Sequence, residues 1–344
     1  FSDVSAAAGI LMNDSNTGLP MGKALGVVVS DYDHDGWVDL FVANDTTQNF
    51  LFHNLGNGSF EEVGAFEGIA FDRDGKATSG MGIDAAWYRN DQDLGVLVGN
   101  FANEMSSLYV TEDGRPPFAD EAVIEGLGPP SRLALTFGVL FFDYDLDGRL
   151  DLLQANGHLE HEINRVQPSQ HYAQPPQLLW NCGDDCRNRF VLVEQAGDLY
   201  RPLVGRGATY ADIDADGDLD LFLGGRMIPG KYPESPDSYI LVNKDGKLKN
   251  ETESIAPELK DLGMVTDATW SDYDLDGDPD LIIVGEWMPV TIFKNDGGIL
   301  KKIENSENSV EFSSGWWWRI ESVDFDNDGD PYYVLGNLGH NYKF

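Results

Sequence analysis

Residues 31–39 read DYDHDGWVD: three carboxylates at alternate positions, a Gly at the sixth, a further Asp at the ninth, then the apolar run Leu40–Ala43. The pattern returns as DYDLDGRLD from Asp143, DIDADGDLD from Asp212, DYDLDGDPD from Asp272 and DFDNDGDPY from Asp324. A worn copy, WYRNDQDLG from Trp87, lies between GMGIDAA and VLVGN. Successive starts are 56, 56, 69, 60 and 52 residues apart, so six units account for all 344 residues. A fixed period of this length marks a repeat architecture rather than two unrelated domains.

Each unit has the same internal order. One apolar stretch enters the Asp loop and a second leaves it. A third ends in Asn and a Gly-rich turn (FLFHNLGNG, LLWNCGDDC, YILVNKDGK, TIFKNDGGI), and a short fourth closes the unit (SFEEV, RFVLVE). Runs of 4–6 β-branched and aromatic residues bounded by Gly, Asn and Asp read as strands of a meander. No segment keeps a 3.6-residue period. The expectation is an all-β chain, a single β-propeller of about six four-stranded blades. The repeats run roughly over 26–70, 79–125, 137–196, 207–256, 264–306 and 315–344 plus 1–5. The sixth unit stops after its third strand region, and Phe1-Ser-Asp-Val-Ser5 matches Phe60-Glu-Glu-Val63. The N-terminal strand is therefore expected to close the ring and remove two sheet edges. The long interval holds an insertion, about Leu159 to Pro176, that reads as an ordered surface loop.

Composition narrows the function. The chain carries 23 Lys and Arg against 59 Asp and Glu, a net charge of −36, which repels phosphate backbones and anionic lipid heads. Nucleic-acid binding is excluded on that ground. No apolar run approaches the ~20 residues of a membrane helix, so membrane insertion is not expected either. At 42% hydrophobic content the chain still builds a packed core, and a monomer is expected.

The carboxylates point to a hard cation. Asp31, Asp33, Asp35, the carbonyl of Trp37 and Asp39 would wrap one ion, the Gly36 turn folding an extended run around a point. The equivalent sets are Asp143, Asp145, Asp147, Arg149 and Asp151; Asp212, Asp214, Asp216, Asp218 and Asp220; and Asp272, Asp274, Asp276, Asp278 and Asp280. All-oxygen ligation without His or Cys selects Ca²⁺, at four complete loops. A weaker fifth site is expected at Asp324, Asp326, Asp328 and Asp330, where Tyr332 replaces the closing Asp. Solvated Asp-Gly turns without metal are the bland alternative. No metal is expected at the worn loop, where the Arg89 guanidinium would take the ion's place beside Asp91.

These loops and strands resemble the FG-GAP/VCBS repeat, the calcium-loop blade of integrin α-chain propellers and bacterial surface proteins. The resemblance covers essentially the whole chain and implies a calcium-binding propeller, with seven blades as an alternative count. FSDVSAAAGI, GMGIDAA, the NGH at 156–158 and GRGATYADIDADGDLDL, within residues 1–220, resemble the ASPIC/UnbV branch that includes cartilage acidic proteins. From Gly224 the idiom changes: GGRMIPGKYP, GMVTDATWSDYD, VGEWMP and GNLGHN resemble another bacterial VCBS branch. Base usage shifts too, from 11 Arg and 2 Lys in 1–230 to 1 Arg and 9 Lys in 231–344, so a join of two lineages is expected there.

Three further features have two readings each. Cys182 and Cys186 in NCGDDC are a hairpin disulfide of an exported protein, or two free thiols. Trp316–Trp318 are inter-blade packing or a sugar-stacking surface, with Trp317 facing away from its two neighbours. His158, Glu160, His161, Glu162 and His171 offer an acid–base or metal cluster, or a solvated loop.

Alternating strands put the Asp loops on one face. The opposite face should present Asn44, Asp45, Asn100, Asn156, His158, Arg226, Glu286, Trp287, Asn337 and His340 as the recognition surface for a protein or glycan. The reading is a secreted or cell-surface, calcium-stabilised binding or scaffold module without catalytic residues. A propeller enzyme of the polysaccharide-lyase or sugar-dehydratase type, and a chimeric scaffold without a ligand, are the alternatives.

Overall fold

The computed structural model describes residues 3–228, 231–303, 313–323 and 329–337. Four meanders follow one plan. The first sheet is β1 (Ala24–Ser30), β2 (Asp39–Asn44), β3 (Phe50–Asn54) and β4 (Phe60–Glu62). The second is β5 (Gly80–Ala86), β6 (Gly95–Asn100), β7 (Ser107–Glu112) and β8 (Arg115–Asp120). The third is β9 (Thr136–Phe142), β10 (Asp151–Asn156), β11 (Gln177–Asn181) and β12 (Phe190–Leu192). The fourth is β13 (Gly205–Ala211), β14 (Asp220–Gly225), β15 (Tyr239–Lys244) and β16 (Lys247–Asn250). In each, neighbours in sequence pair antiparallel, the build of a propeller blade.

The fifth meander, β17 (Met264–Ser271), β18 (Asp280–Met288), β19 (Thr291–Asn295) and β20 (Leu300–Lys302), does not end at its own edge. Its β18 also pairs with β21 (Gly315–Val323) at Glu286↔Trp316 and Met288↔Gly315, and β21 pairs with β22 (Tyr332–Asn337). The described residues thus hold five four-stranded blades rather than six. The sixth unit contributes two strands, because its third strand region lies beyond residue 337.

Packing divides the chain into two compact units. One comprises residues up to Phe142 with Gly148–Gln154 and Leu178–Val193; the other comprises Asp143–Asp147, Ala155–Gln177 and everything from Glu194. Within the first, Phe41, Ala43 and Leu51 of one blade meet Ile83, Val96, Val98 and Tyr109 of the next. Tyr88, Leu97 and Leu108 likewise meet Phe141, Leu152 and Leu179. Within the second, Phe222, Ile240 and Val242 pack on Val265, Leu281 and Phe293. In the second and fourth sheets the second strand is buried on both faces, which is why GVLVGN (95–100) and DLFLGG (220–225) hold unbroken apolar runs instead of alternating. Each Phe buried this way stabilises by about 1.5–3 kcal/mol.

The N-terminal expectation is corrected. Phe1 and Ser2 lie outside the described residues, and Asp3–Ser5 form no strand; Val4 is exposed and its carbonyl accepts the Ala8 N–H at 2.7 Å. The turn after Ser5 is ordered by the first blade. The Phe60 N–H of β4 donates to the Ala8 carbonyl at 2.8 Å, and Gly9, at φ +79°, lies against Phe60. The next junction repeats this: the Phe118 N–H donates to the Glu67 carbonyl at 2.7 Å, and Gly68, at φ +86°, lies against Phe118. The likeness of residues 1–5 to 60–63 therefore extends into the adjoining junction, while ring closure lies outside the described residues.

The insertion is also more than a surface loop. Its short helical turn Ile163–Val166 and the residues after it bury Ile163, Gln170, Tyr172 and Gln174. The Tyr172 carbonyl accepts the His158 N–H at 2.8 Å, and Gln174 bridges to Leu203. Cys182 and Cys186 are joined by a disulfide across the turn Gly183–Asp185. No helix among the described residues is long and apolar enough to cross a membrane.

Candidate functional site

The acidic loops share one backbone conformation. Their fourth residues, His34, Leu146, Ala215 and Leu275, all have φ between 56° and 61°, and the Gly two positions later is also left-handed. A non-Gly residue there costs roughly 1–2 kcal/mol, so four different side chains accepting it shows that the loop dictates the geometry. The first Asp organises the turn. Asp31 accepts the N–H groups of Asp35 (3.1 Å) and Gly36 (3.0 Å), and Asp272 accepts those of Asp276 and Gly277, each at 3.0 Å. Asp212 accepts the Gly217 N–H at 3.1 Å, and Asp143 accepts the Asp147 N–H at 3.0 Å.

The ninth Asp does something the sequence reading missed. Asp39, Asp151, Asp220 and Asp280 are fully buried at the first residue of the second strand. One oxygen of each accepts the N–H of the Asn at or next to the end of the third strand: Asn54 (2.8 Å), Asn181 (2.6 Å), Asn243 (2.8 Å) and Asn295 (2.7 Å). The other oxygen of Asp39, Asp220 and Asp280 accepts the N–H of the loop's second residue: Tyr32, Ile213 and Tyr273. Burial pushes the carboxyls of Asp39, Asp220 and Asp280 up, Asp220 to about 6. The recurring Asn after the third strand was the available signal. Its amide also crosses between blades: Asn181 to the Tyr88 carbonyl, Asn243 to that of Tyr144 and Asn295 to that of Ile213.

Carboxylates close enough to share one ion include Asp31, Asp33 and Asp35; Asp212, Asp214 and Asp220; and Asp272, Asp274 and Asp276. At the second of these, the Asp212 Oδ1 is buried without a hydrogen-bond partner, an acceptor that fits a bound cation. In the first, His53 of β3 lies 3.2 Å from Asp39 and 3.5 Å from Asp33. In the last, Lys294 of β19 pairs with Asp274 and, at 2.9 Å, with Asp276. Of the seventh residues, Trp37 packs on Gly56, and Arg149 donates to the Asn181 carbonyl at 2.7 Å. Asp218 and Asp278 accept the N–H groups of Asp245 and Gly297. Asp324, Asp326 and Asp328 lie outside the described residues.

The worn loop keeps the turn, with Asn90 at φ +57°, and Arg89 takes its ion pairs from carboxylates other than Asp91. It pairs with Asp93 at 3.5 Å and with Glu121 and Glu125. A fixed side-chain cation thus neutralises the acids around that turn.

The opposite strand ends are less open than expected. Asn44, Asn100, Asn156, His158, Arg226 and Glu286 are buried, not presented. The three Asn side chains tie down the loops after their strands through Gln48, Met105 and Pro175 carbonyls. His340 lies outside the described residues. An aromatic group in the second unit is left open. Arg226 pairs with Glu286 and stacks over Trp318 at 4.7 Å. Trp318 stacks on Trp316 (6.2 Å), and Trp316 meets Trp287 (5.1 Å), which is held at φ +58° and donates to the Tyr232 hydroxyl at 2.8 Å. Trp317 faces the other way, into the core beside Ile320. Beside this group, burial and the Arg206 guanidinium push the His158 imidazole down. His161, by contrast, is an exposed partner of Glu160 and Glu162.

Comparison with known proteins places these features. The FG-GAP-like repeat pattern matches residues 31–98, 212–283 and 272–335, more than half of the chain. Cartilage acidic protein 1 of Mus musculus is 29% identical over 230 residues, covering 64% of this chain and 30% of that protein. Cartilage acidic protein 1 of Xenopus tropicalis is 26% identical over 264 residues, covering 75% of this chain and 35% of that protein. The chain thus spans about a third of the curated relatives it matches. A solved Agrocybe aegerita lectin, described with specific recognition of non-reducing terminal N-acetylglucosamine, superposes with a TM-score of 0.56. Its sequence identity is 14%, covering 93% of this chain and 76% of the lectin.

Proposed function

We propose, for a chain that belongs to the FG-GAP-like repeat family, a calcium-stabilised extracellular module that binds a glycan without transforming it. The observation that carries the binding reading is Trp287, an aromatic residue in the left-handed region, in tilted contact with Trp316 and partly open to solvent. Backbone strain at a bulky residue persists where the surroundings impose it, and indole faces suit the apolar faces of sugar rings. Glu286, the residue before Trp287, is buried and paired with Arg226, so it is not open to a bound sugar.

Calcium is the cation that oxygen-only loops favour, and Asp31, Asp33, Asp35, Asp212, Asp214 and Asp220 would hold it. Bound there, it neutralises carboxylates that otherwise repel one another. Affinities of about 10⁻⁴–10⁻³ M, usual for extracellular modules, suffice outside cells, and the Cys182–Cys186 disulfide suits the same compartment.

The test is a glycan array probed in millimolar calcium and in EDTA, alongside Trp287→Ala. Retention of a defined set of glycans, lost in the variant, is expected; an array with no retained glycan would overturn the reading.

A second reading, a sugar lyase, has one observation behind it: His158, Tyr172 and Arg206 are buried together in the second unit. Formation of unsaturated product from a polysaccharide, abolished by His158→Ala, would establish it.

A further inference from the structure

The third-strand residue before the recurring Asn faces the acidic loop of its own blade. The pairs Leu40↔Phe52, Leu221↔Leu241 and Leu281↔Phe293 set His53, Val242 and Lys294 one step further, across from Asp39, Asp220 and Asp280. The side chain at this position differs from blade to blade, and so does the state of the loop. Opposite Val242, which is buried and apolar, the Asp212 Oδ1 has no partner. Opposite Lys294, the carboxylates at the third and fifth positions of the loop, Asp274 and Asp276, are both paired with one ammonium.

We propose that Lys294 is a built-in counter-ion that takes the place of calcium in the loop 272–280, leaving the loop 212–220 as a site that needs the metal. The inference rests on the calcium reading above and departs from the expectation that the complete loops are equivalent. A calcium ion needs six to eight oxygens and tolerates no competing cation among them. To bind in the loop 272–280 it must displace the ammonium from two carboxylates. It must then tolerate that charge on a four-carbon tether a few ångströms away. A unit charge about 5 Å from a divalent ion in water weakens binding by roughly tenfold before the lost ion pairs are counted. The worn loop is a precedent in the same chain, with Arg89 bonded to Asp93, Glu121 and Glu125 around a turn stripped of its ligands. Lys294 leaves three carboxylates formally complete and changes only their partner. In sequence the loop therefore looks intact.

The experiment is calcium titration calorimetry on the whole chain and on Lys294→Val, which installs at this position the residue found at 242. Lys294 is substantially exposed, so the variant should fold. The expected result is one additional calcium bound per chain. Its melting temperature should fall below the parent's in EDTA and recover in millimolar calcium. Adding Asp274→Asn to Lys294→Val should remove the extra site. A variant with the parent's stoichiometry and affinities, and no separation of the melting curves in EDTA, would overturn the proposal. If parent and variant both bind no calcium, the calcium reading itself falls and takes this inference with it. Calcium binding by the parent with no gain in the variant fails the Lys294 inference alone.

Discussion

Asn295, the last residue of β19, donates its side-chain amide to the carbonyl of Ile213, the second residue of the preceding repeat's acidic loop, at 2.9 Å. Its backbone N–H meanwhile donates to Asp280 of its own blade. One Asn therefore fastens a loop to its own sheet and to the blade before it. Asn295→Ala strands a buried carbonyl without its donor and should cost about 1–3 kcal/mol in urea unfolding. Asn295→Asp should cost at least as much, since a carboxylate cannot donate.

Burial of the ninth Asp sets a pH dependence whose sign depends on the metal. The Asp220 carboxyl is raised to about 6, above an unfolded value of about 3.9. Without metal, the native chain takes up this proton before the unfolded chain does. Stability in EDTA should therefore rise by about 1–2 kcal/mol as the pH falls from 7 to about 5. Calcium needs the ionised form, so in millimolar calcium the trend should reverse. Urea melts at both pH values, with Asp220→Asn as control, check both signs.

Gly68 is fixed by its neighbour and its backbone. A methyl group added there would come 2.3 Å from the Phe118 carbonyl oxygen, at φ +86°. Gly68→Ala should destabilise by about 2 kcal/mol or more, read as a lower thermal midpoint. Gly75, also left-handed but with open space around it, should lose only the smaller conformational part when changed to Ala.

Arg89→Met removes the cation shared by Asp93, Glu121 and Glu125. Glu125 is buried and keeps only the Arg189 contact at 3.4 Å. The loss should be about 3 kcal/mol, the lower end for breaking a buried pair, and equal in EDTA and in calcium. A loss that calcium repairs would place a metal at the worn loop instead.

The repeat period, the strand order within a unit, the position of the four complete acidic loops and the opposed facing of Trp317 were all legible in the sequence. They rest on local signals: turn residues at fixed offsets, apolar runs of strand length, and the alternation of a pleated chain. The partners of those residues were not legible. That Asp39, Asp151, Asp220 and Asp280 are occupied by Asn N–H groups depends on pairing between strands 15 to 30 residues apart. That Asn44, Asn100 and Asn156 are buried tethers instead of a presented surface depends on how the loops after the second strands fold back. Four Asp loops with one spacing carry identical local information. The difference between a loop facing Val242 and one facing Lys294 exists only once the third strand is laid beside the second. A charge separated by 20 residues in the chain is then brought to hydrogen-bond distance.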